Sequence, residues 1–262
     1  MQVITSKDNE CVKEIKKLKE KKYREQEKKY IVEGIKLVQE AIFENANIDK
    51  IVVCEDCAND GSLEKALLYE IAKFNCVYVT KKIFDTITDV SNPQGILAII
   101  NKKENLELSF DEDIIVALDG IQDPGNLGTI LRTLDSTNLK QIILSESTAD
   151  PYNPKVVRSS MGAIFRVNII QSKNLVETLE KIKKNKYKIM VTSLETENSI
   201  YDTDYNKKIL VIGNEANGVS KEVLELADEK VKIPMLGKTE SLNAAVATSI
   251  ILYEYVRRKI WK

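Results

Sequence analysis

Residues able to carry out chemistry are concentrated in loops that follow short apolar runs in the second half of the chain. The first such loop reads Asp119-Gly-Ile-Gln-Asp-Pro-Gly-Asn-Leu-Gly-Thr129. Its glycines and proline favour tight turns, and Asn126 stands where it could cap a following helix. Arg132 then falls within the first two turns of that helix, where a planar guanidinium suits bidentate contact with a phosphate.

The second loop, Gly213-Asn-Glu-Ala-Asn-Gly-Val-Ser220, also follows an apolar run. Gly213 and Gly218 have the spacing of a phosphate-binding P-loop. Val219 stands at the position of the essential lysine, however, which argues against a nucleoside triphosphatase. Glu215 is the charged residue of this turn. It either hydrogen-bonds local amides or serves as a functional acceptor, and the loop alone leaves both interpretations open.

The third loop lies between residues 231 and 243. Ser241 is expected to be the N-cap of a final helix, because apolar residues recur at helical spacing from Leu242 to Val256. Asn243 falls in the first turn of this predicted helix, where the helix N-terminus favours anions. The chain contains no histidine, which excludes Ser-His triads, histidine metal sites and the usual general base at neutral pH.

Cys54 and Cys57 have the C-x-x-C spacing of redox and zinc motifs, and the other two cysteines are Cys11 and Cys76. A second C-x-x-C pair, which such zinc sites usually include, is missing from the sequence. We therefore interpret the four residues as reduced structural cysteines and predict no metal site. Metal or redox chemistry is the alternative interpretation.

A run of basic residues near the N-terminus is the main candidate for contact with a polyanion. Residues 8–29 are predicted to form one amphipathic helix, with nine basic and four acidic side chains between Lys13 and Lys29. A solvated helix face is the ordinary interpretation of such a run, but the surplus of positive charge also fits a nucleic-acid backbone. The net charge of −1 gives little long-range attraction, so any nucleic-acid surface must be local.

Two alternating α/β segments are predicted to position these loops: a domain at residues 1–103, a polar linker at 104–112 and a second domain at 113–262. In the first domain, a helix is expected over residues 63–74. The strands of the second domain, expected at 114–118, 141–144, 187–192 and 209–212, are apolar throughout, which is typical of a parallel sheet covered on both faces. Ligands usually bind at the carboxyl ends of such strands.

Composition and hydropathy exclude several classes of protein. The chain has 262 residues, of which 43% are hydrophobic and 30% charged, as in ordinary globular proteins. Apolar runs stay below the roughly 18 residues of a membrane span, and the N-terminus lacks a signal-peptide pattern, so we expect a cytoplasmic protein with no membrane partner. G-x-G-x-x-G follows none of the predicted strands, which argues against a dinucleotide-dependent oxidoreductase.

Together, the loops resemble the three signature motifs of the SpoU/TrmH family of RNA 2′-O-ribose methyltransferases. The matching segments are Asp123-Pro-Gly-Asn-Leu-Gly-Thr-Ile-Leu-Arg132, Ile212-Gly-Asn-Glu-Ala-Asn-Gly-Val-Ser220, and Ile233-Pro-Met with Ser241-Leu-Asn243. The first domain is similar to the family's substrate-binding domain at Asn9, the basic helix, and residues 29–34 and 92–95. The resemblance therefore spans nearly the whole chain.

The resemblance implies an α/β fold of the SPOUT type, whose C-terminal parallel sheet carries a deep trefoil knot. The N-terminal RNA-binding domain would be a small α/β sandwich like those of ribosomal proteins. S-adenosylmethionine is the implied cofactor, with a homodimer formed through the C-terminal domain and structured RNA, 23S rRNA before tRNA, as substrate. The implied cofactor-binding residues are Thr192, Leu194, Gly213, Gly218, Ile233, Met235 and Leu242.

The catalytic residues that the resemblance implies are Arg132, Asn126, Glu215, Ser241 and Asn243. Because arginine is not normally deprotonated in proteins, we expect Arg132 to hold a phosphate of the target nucleotide and to lower the pKa of the 2′-hydroxyl. The expected RNA contacts of the first domain are Lys13, Lys17, Lys21, Lys22, Arg24, Glu33 and Gly34. The alternative function is that of a non-catalytic RNA-binding factor of ribosome assembly that retains the fold.

Overall fold

The computed structural model describes residues 3–104 and 106–261. The chain divides into two compact units, Met1–Glu104 with Tyr152–Phe165, and Asn105–Pro151 with Arg166–Lys262. The division after Glu104 lies at the start of the predicted linker, residues 104–112. The segment Tyr152–Phe165 groups with the first unit, whereas the predicted second domain, residues 113–262, includes it.

The first unit is built around a five-stranded sheet. Its elements are β1 (Val3–Ile4), α1 (Glu10–Leu18), α2 (Lys21–Gln26), β2 (Lys29–Glu33), α3 (Ile35–Phe43), β3 (Ile48–Cys54), α4 (Glu55–Asn59), α5 (Lys65–Ile71), β4 (Cys76–Val79), α6 (Lys81–Ile87) and β5 (Ile96–Asn101). The strands follow the order β1-β4-β3-β5-β2, so β2 is an edge strand, and β5 is antiparallel to both of its neighbours. Buried side chains of α1 and α6 pack on the sheet in one core cluster.

The predicted single helix over residues 8–29 is wrong, because the chain turns between Leu18 and Lys21. Arg24 folds back from α2 and donates hydrogen bonds to the carbonyl oxygens of Leu18 (2.8 Å) and Lys19 (2.6 Å). These are carbonyls that the end of a helix leaves without an intrahelical partner. The predicted helix over residues 63–74 is shorter, Lys65–Ile71, and β1 and α4 were not predicted.

The second unit is built around a six-stranded sheet. The remaining elements of the chain are β6 (Ile114–Asp119), α7 (Pro124–Ser136), β7 (Gln141–Ser145), α8 (Pro154–Ser159), α9 (Ala163–Arg166), β8 (Asn168–Ser172), α10 (Leu175–Lys184), β9 (Lys188–Thr192), β10 (Lys208–Gly213), α11 (Lys221–Leu226), β11 (Glu229–Val231) and α12 (Ala244–Ile260). The strand order is β11-β9-β10-β6-β7-β8, and every pair of neighbours is parallel. The predicted parallel sheet is confirmed.

The starts of α7 and α12 differ from the predicted caps. Asp123 caps α7 by accepting a hydrogen bond from the Asn126 amide at 2.9 Å, and Pro124 occupies the first turn, where its missing N–H costs nothing. Asn243 caps α12 by accepting from the Ala245 amide at 2.9 Å and the Val246 amide at 3.3 Å. Neither Asn126 nor Ser241 is therefore the N-cap that the sequence suggested.

The far end of α12 is fixed by Glu254, which is 6% exposed. Its carboxylate accepts hydrogen bonds from Arg257 Nε (2.8 Å) and Arg258 Nε (2.7 Å), and Arg258 also donates to the Thr203 carbonyl. The hydrogen bond from Arg257, assisted by Arg258, outweighs burial and lowers the pKa of Glu254 to about 2. This cluster anchors the helix whose first residue follows Asn243.

We expect Glu254→Gln to lower the free energy of unfolding by about 1 to 3 kcal/mol at pH 7, because the arginines lose a charged acceptor. A folded-state pKa of about 2 lies below the ordinary 4.5, so this stabilisation is present above pH 4.5 and is lost as the pH falls toward 2. Urea unfolding at pH 7, 4 and 3 measures both effects. Glu195→Gln, at an exposed site, is the control; equal losses for the two variants would contradict the expectation.

Candidate functional site

The first two loops leave neighbouring strands at the same edge of the sheet. β6 and β10 are parallel neighbours in which Asp119 lies opposite Gly213, so the chains that follow them start side by side. Two hydrogen bonds join the loops: the Ser220 amide donates to Asp119 Oδ2 at 2.8 Å, and Asn214 Nδ2 donates to the Gly120 carbonyl at 2.7 Å. The first two motifs are therefore adjacent in the structure.

The second loop folds tightly back on Gly213. The Asn214 and Gly218 backbones exchange two hydrogen bonds of 2.9 Å, and Gly218 has a φ of +69°, which favours glycine. A Cβ atom at Gly213 would lie 2.1 Å from the carbonyl carbon of Gly218 and 2.2 Å from the Val219 nitrogen. The close approach of two backbone segments thus requires glycine at position 213.

Glu215 joins the second loop to the start of α7. Its carboxylate accepts hydrogen bonds from Asn126 Nδ2 at 2.8 Å and from the amides of Gln122 (3.3 Å) and Asp123 (3.4 Å). Burial alone would raise the pKa of Glu215, but these donors outweigh it and the pKa is lowered. Glu215 is therefore a carboxylate at neutral pH, and the amides of Gln122 and Asp123 that it accepts from belong to the first loop rather than to its own turn.

The third motif joins the same chain of hydrogen bonds. Asn243 Nδ2 donates to Asn126 Oδ1 at 2.8 Å, while Asn243 Oδ1 accepts from the first amides of α12. Because Asn126 donates to Glu215 and accepts from Asn243, the orientation of both amide groups follows from their partners. One residue from each of the three motifs is thus linked in the order Glu215, Asn126, Asn243.

Arg132 and Ser241 are outside this chain of hydrogen bonds. Arg132 is exposed on α7, between the buried Leu131 and Thr133, and its side chain has no hydrogen-bond or ion-pair partner among residues 3–104 and 106–261. Ser241 is exposed in the loop before Asn243 and likewise has no partner in those ranges. The guanidinium is consequently available to an external acceptor.

Sequence reasoning missed Asp119 and Asn214, which brace the loops from within. Asn214 Oδ1 also accepts from the amides of Ala216 (2.9 Å) and Asn217 (3.0 Å). Both residues directly follow or end an apolar run. A polar residue at the end of a buried strand was therefore the signal that could have identified them.

The predicted cofactor residues lie at the ends of three neighbouring strands or in the segments that follow them. β11, β9 and β10 are adjacent, with Val231 opposite Thr192, so the segments after these strands leave the sheet together. Thr192 donates to the Val211 carbonyl at 3.3 Å. On the segments that follow, Leu194 is 65% exposed and Leu236 fully exposed, while Ile233, Met235 and Leu242 are half-buried.

The nine basic residues of the N-terminal segment differ in their partners. Several are neutralised: Lys13 pairs with Glu10, Lys19 with Asp89, Lys21 with Glu25, Lys28 with Glu104, and Lys29 with Glu14 and Asp49. In the part of the chain that the structure describes, Lys16, Lys17 and Lys22 have no acidic partner. The ammonium groups of Lys17 and Lys22 lie 5.8 Å and 5.9 Å from the centre of the Tyr23 ring. We call Lys16, Lys17, Lys22 and Tyr23 the basic patch.

Three predicted RNA contacts have structural roles instead. Arg24 corrects the prediction, because it is 2% exposed and its guanidinium is occupied by the end of α1. Glu33 is buried and accepts hydrogen bonds from the Thr88 hydroxyl and the Asp89 amide. Gly34 begins α3 with a φ of +104°, and a Cβ there would lie 2.9 Å from Gln94 Oε1. The side chains of Arg24 and Glu33 therefore hold parts of the first unit together, and Gly34 is set by its backbone conformation.

The C-x-x-C cysteines belong to the first unit and are distant in sequence from the three motif loops. All four cysteines are free thiols. Burial, with a contribution from Cys54, raises the pKa of Cys57 to about 11, so this thiol stays protonated at neutral pH. No group of three or more potential metal-ligating side chains occurs within residues 3–104 and 106–261. Among the helices described, none has the length and apolarity to cross a membrane.

Comparison with known proteins places this geometry in a family. Residues 113–253 match the SpoU rRNA Methylase family, and residues 9–98 match the MRM3-like substrate binding domain. The 23S rRNA (guanosine(2553)-2'-O)-methyltransferase RlmP of Bacillus subtilis is 32% identical over 254 residues, which cover 97% of this chain and 98% of the relative.

Two solved structures that contain the cofactor are similar over the full length. The AdoMet-bound rRNA methyltransferase of Sinorhizobium meliloti is 30% identical, with a TM-score of 0.83 and coverage of 100% of this chain and 99% of that chain. The SpoU methyltransferase AviRb of Streptomyces viridochromogenes, in complex with AdoMet, is 25% identical, with a TM-score of 0.85 and coverage of 97% and 100%. The motifs, the fold and the relatives agree, and the chain belongs to the SpoU family of RNA methyltransferases.

Proposed function

We propose that this protein methylates the 2′-hydroxyl of one ribose in 23S rRNA and acts in the cytoplasm, where that RNA is found. Members of its family are RNA methyltransferases that use S-adenosylmethionine. The observation that carries the proposal is the hydrogen-bonded chain of Glu215, Asn126 and Asn243, which joins all three motifs. The name of the Bacillus subtilis relative specifies guanosine 2553, and the equivalent guanosine is the target that we propose here.

Arg132 is proposed to hold a phosphate next to the target ribose. Its guanidinium is exposed and has no acceptor within the described residues, while α7 is fixed at its start by Asn126 and Glu215. A fixed positive charge beside the 2′-hydroxyl stabilises the developing alkoxide, so its proton can leave late to water or to the phosphate. Glu215, Asn126 and Asn243 position the helix, and Ser241 is proposed to contact the substrate from the third loop.

Thr192, Leu194, Gly213, Gly218, Ile233, Met235 and Leu242 are proposed to hold S-adenosylmethionine. When bound, the cofactor supplies an activated methyl group on a sulfonium. The residues of the pocket orient it toward the ribose oxygen, and alignment of two reactants in this way is worth about 7 to 11 kcal/mol of the barrier. Methyl transfer breaks the carbon–sulfur bond, forms a carbon–oxygen bond and releases one proton.

The end of the chain is proposed to form a trefoil knot around this pocket. β11 lies at the edge of the sheet, yet α12, which follows it, packs on α7 and β10 in the middle. The intervening segment must therefore return past β9. The loop after β9 pairs with the start of this segment, because the Ile200 amide donates to the Lys232 carbonyl at 3.0 Å and the Lys232 amide donates to the Asn198 carbonyl at 2.9 Å. Passage of residues 233–243 through that loop would close the knot.

A homodimer through the second unit is proposed from the outer face of α12. An apolar stripe runs along this helix at helical spacing, formed by Val246, Ile250, Tyr253 and Ile260. Val246 is 47% and Tyr253 52% exposed, although large apolar side chains on a helix normally face a partner. A second copy of the chain would cover this stripe and shield it from water.

The basic patch is proposed to contact the RNA backbone. Replacing Lys16, Lys17 and Lys22 together by glutamine removes three unneutralised charges. We expect the slope of log K against log salt to become less steep by about 2 to 3, because each lost phosphate contact contributes about 0.7 to 0.9. Filter binding of 23S rRNA between about 50 and 300 mM KCl, a range that includes physiological ionic strength, measures the slope.

The matched control is the triple variant of Lys13, Lys21 and Lys28, which carry the same charge on the same segment but are ion-paired. We expect its slope to change by less than half as much, because surface ion pairs already offset these charges. Equal slopes for both triple variants would mean that total charge, and not the basic patch, determines binding.

The proposed target is tested by mapping 2′-O-methyl groups in 23S rRNA from cells with and without the gene. One methylated ribose is expected to disappear in the deletion strain and to return when the wild-type protein is supplied. Supply of the Arg132→Ala protein should not restore it. An unchanged methylation pattern would contradict the proposed substrate. If the deletion strain assembles ribosomes poorly and the Arg132→Ala protein restores assembly, the non-catalytic alternative is favoured.

A further inference from the structure

Two of the six arginine side chains have no acceptor among the residues that the structure describes, unlike the other four. The chain has six arginines, and most hold acceptors inside their own unit: Arg24 on backbone carbonyls, Arg166 on Asp135, and Arg257 and Arg258 on Glu254. In residues 3–104 and 106–261, the side chains of Arg132 and Arg158 have neither a hydrogen bond nor an ion pair. The motif explains Arg132. Arg158 has no role in the catalytic assembly described above.

Arg158 is held in place by its helix. It lies on α8, which Asn153 caps by accepting from the Lys155 amide at 2.8 Å. Val156 and Val157, immediately before it, are buried, and Ser160 is fully buried. Arg158 itself is half-buried. A guanidinium that has lost part of its hydration and has gained no acceptor is poised for a ligand, since it offers five N–H donors in a rigid plane.

The helix that carries Arg158 belongs to the substrate-binding unit, although its sequence is part of the methylase match. Residues 113–253 match the SpoU family, yet Tyr152–Phe165 belongs to the unit that contains the MRM3-like substrate binding domain. Within that unit, α8 packs on the edge strand β2, on which α1 and α2 also pack. Arg158 and the basic patch are therefore carried by helices that share one strand.

We propose that Arg158 is a second phosphate-binding residue for the RNA substrate, which contributes affinity and register but no chemistry. This inference depends on the proposed function, because it takes RNA as the ligand of the first unit. A planar guanidinium binds a phosphate through two parallel hydrogen bonds, which fixes the direction of the backbone as well as its position. An ammonium group such as those of the basic patch acts as a point charge without this direction.

Arg158→Gln tests the proposal, with Arg158→Lys as the conservative variant. We expect Arg158→Gln to bind 23S rRNA about tenfold more weakly and to reduce the salt slope by about 0.7 to 0.9, while turnover at saturating RNA changes by less than about twofold. Arg158→Lys should recover the salt slope but not the full affinity. Affinity for S-adenosylmethionine, measured by calorimetry, should stay at the wild-type value.

Lys65→Gln is the matched control, because Lys65 is exposed on α5 of the same unit and has no partner among the described residues. RNA binding by Arg158→Gln equal to that of Lys65→Gln would overturn the proposal. Light scattering gives a second criterion: if Arg158→Gln dissociates a dimer and loses no RNA affinity per protomer, the acceptor belongs to another copy of the chain and the proposal is wrong. Failure of the proposed function has a different signature, absence of methyl transfer to RNA by the wild-type protein.

Discussion

Replacing Arg132 with lysine is expected to lower turnover by about a hundredfold, because one preorganised donor to a developing oxyanion is typically worth a factor of about 10² to 10³. The lysine keeps the charge but loses the two parallel donors that fix a phosphate. RNA affinity should therefore fall by less than about tenfold, and affinity for S-adenosylmethionine should not change. Single-turnover methylation with labelled cofactor separates the chemical step from binding.

Arg166→Lys is the control for this substitution. Arg166 lies on the same unit, and its Nε donates to Asp135 of α7 at 3.0 to 3.1 Å, so its guanidinium is already occupied. We expect turnover within about threefold of wild type, since the loss of such an ion pair costs about 1 kcal/mol or less of stability. Near-full turnover by Arg132→Lys with unchanged RNA affinity would show that Arg132 does not act as a bidentate phosphate clamp.

Gly213→Ala is expected to have the second large effect, on the cofactor pocket. The added Cβ would lie 2.1 and 2.2 Å from backbone atoms of Gly218 and Val219, and backbone cannot rotate away as a side chain can. Overpacking of this kind costs about 1 to 3 kcal/mol or more. A local distortion of 1.4 kcal/mol corresponds to about tenfold in affinity, so we expect cofactor binding to weaken at least about tenfold. Calorimetry with S-adenosylmethionine measures the loss.

Gly237→Ala provides the comparison. Gly237 lies in the segment between β11 and α12, and a Cβ there would meet no atom within 4 Å. Cofactor affinity and melting temperature of this variant should match the wild type. If both variants lose affinity equally, the loops respond to any added methyl group, and the close approach of Gly213 to Gly218 is not what shapes the pocket.

The fold could be predicted where burial is uniform along an element. β6 and β10 lie in the middle of the sheet, and their continuous apolar runs identified them. β8 and β11 are the edge strands, with sequences Asn168–Ser172 and Glu229–Val231 that mix polar and apolar residues, and they were missed. An edge strand has a neighbouring strand on one side only, and its other side is not covered by the sheet. Its side chains are therefore less completely buried, and a continuous apolar run is not required.

The composition of the site could be predicted, but its connections could not. Asn243 and Ser241 are both good N-caps, and the local sequence does not choose between them. The hydrogen bond from Asn243 to Asn126, which is 117 positions earlier in the chain, favours Asn243 as the N-cap of α12. Arg24 shows the converse case: its charge suggested a surface role, while the open carbonyls at the end of α1 gave it a buried one. Both outcomes depend on tertiary contacts that residue type alone does not encode.

Methyl transfer to ribose by the purified protein tests the proposed function directly. Unmodified 23S rRNA is incubated with tritium-labelled S-adenosylmethionine, digested to nucleosides and separated by chromatography. We expect the label in a single 2′-O-methylated nucleoside and none in the bases. Label in a base, or no label in the RNA under conditions where the cofactor binds, would contradict the assignment of the site to ribose methylation.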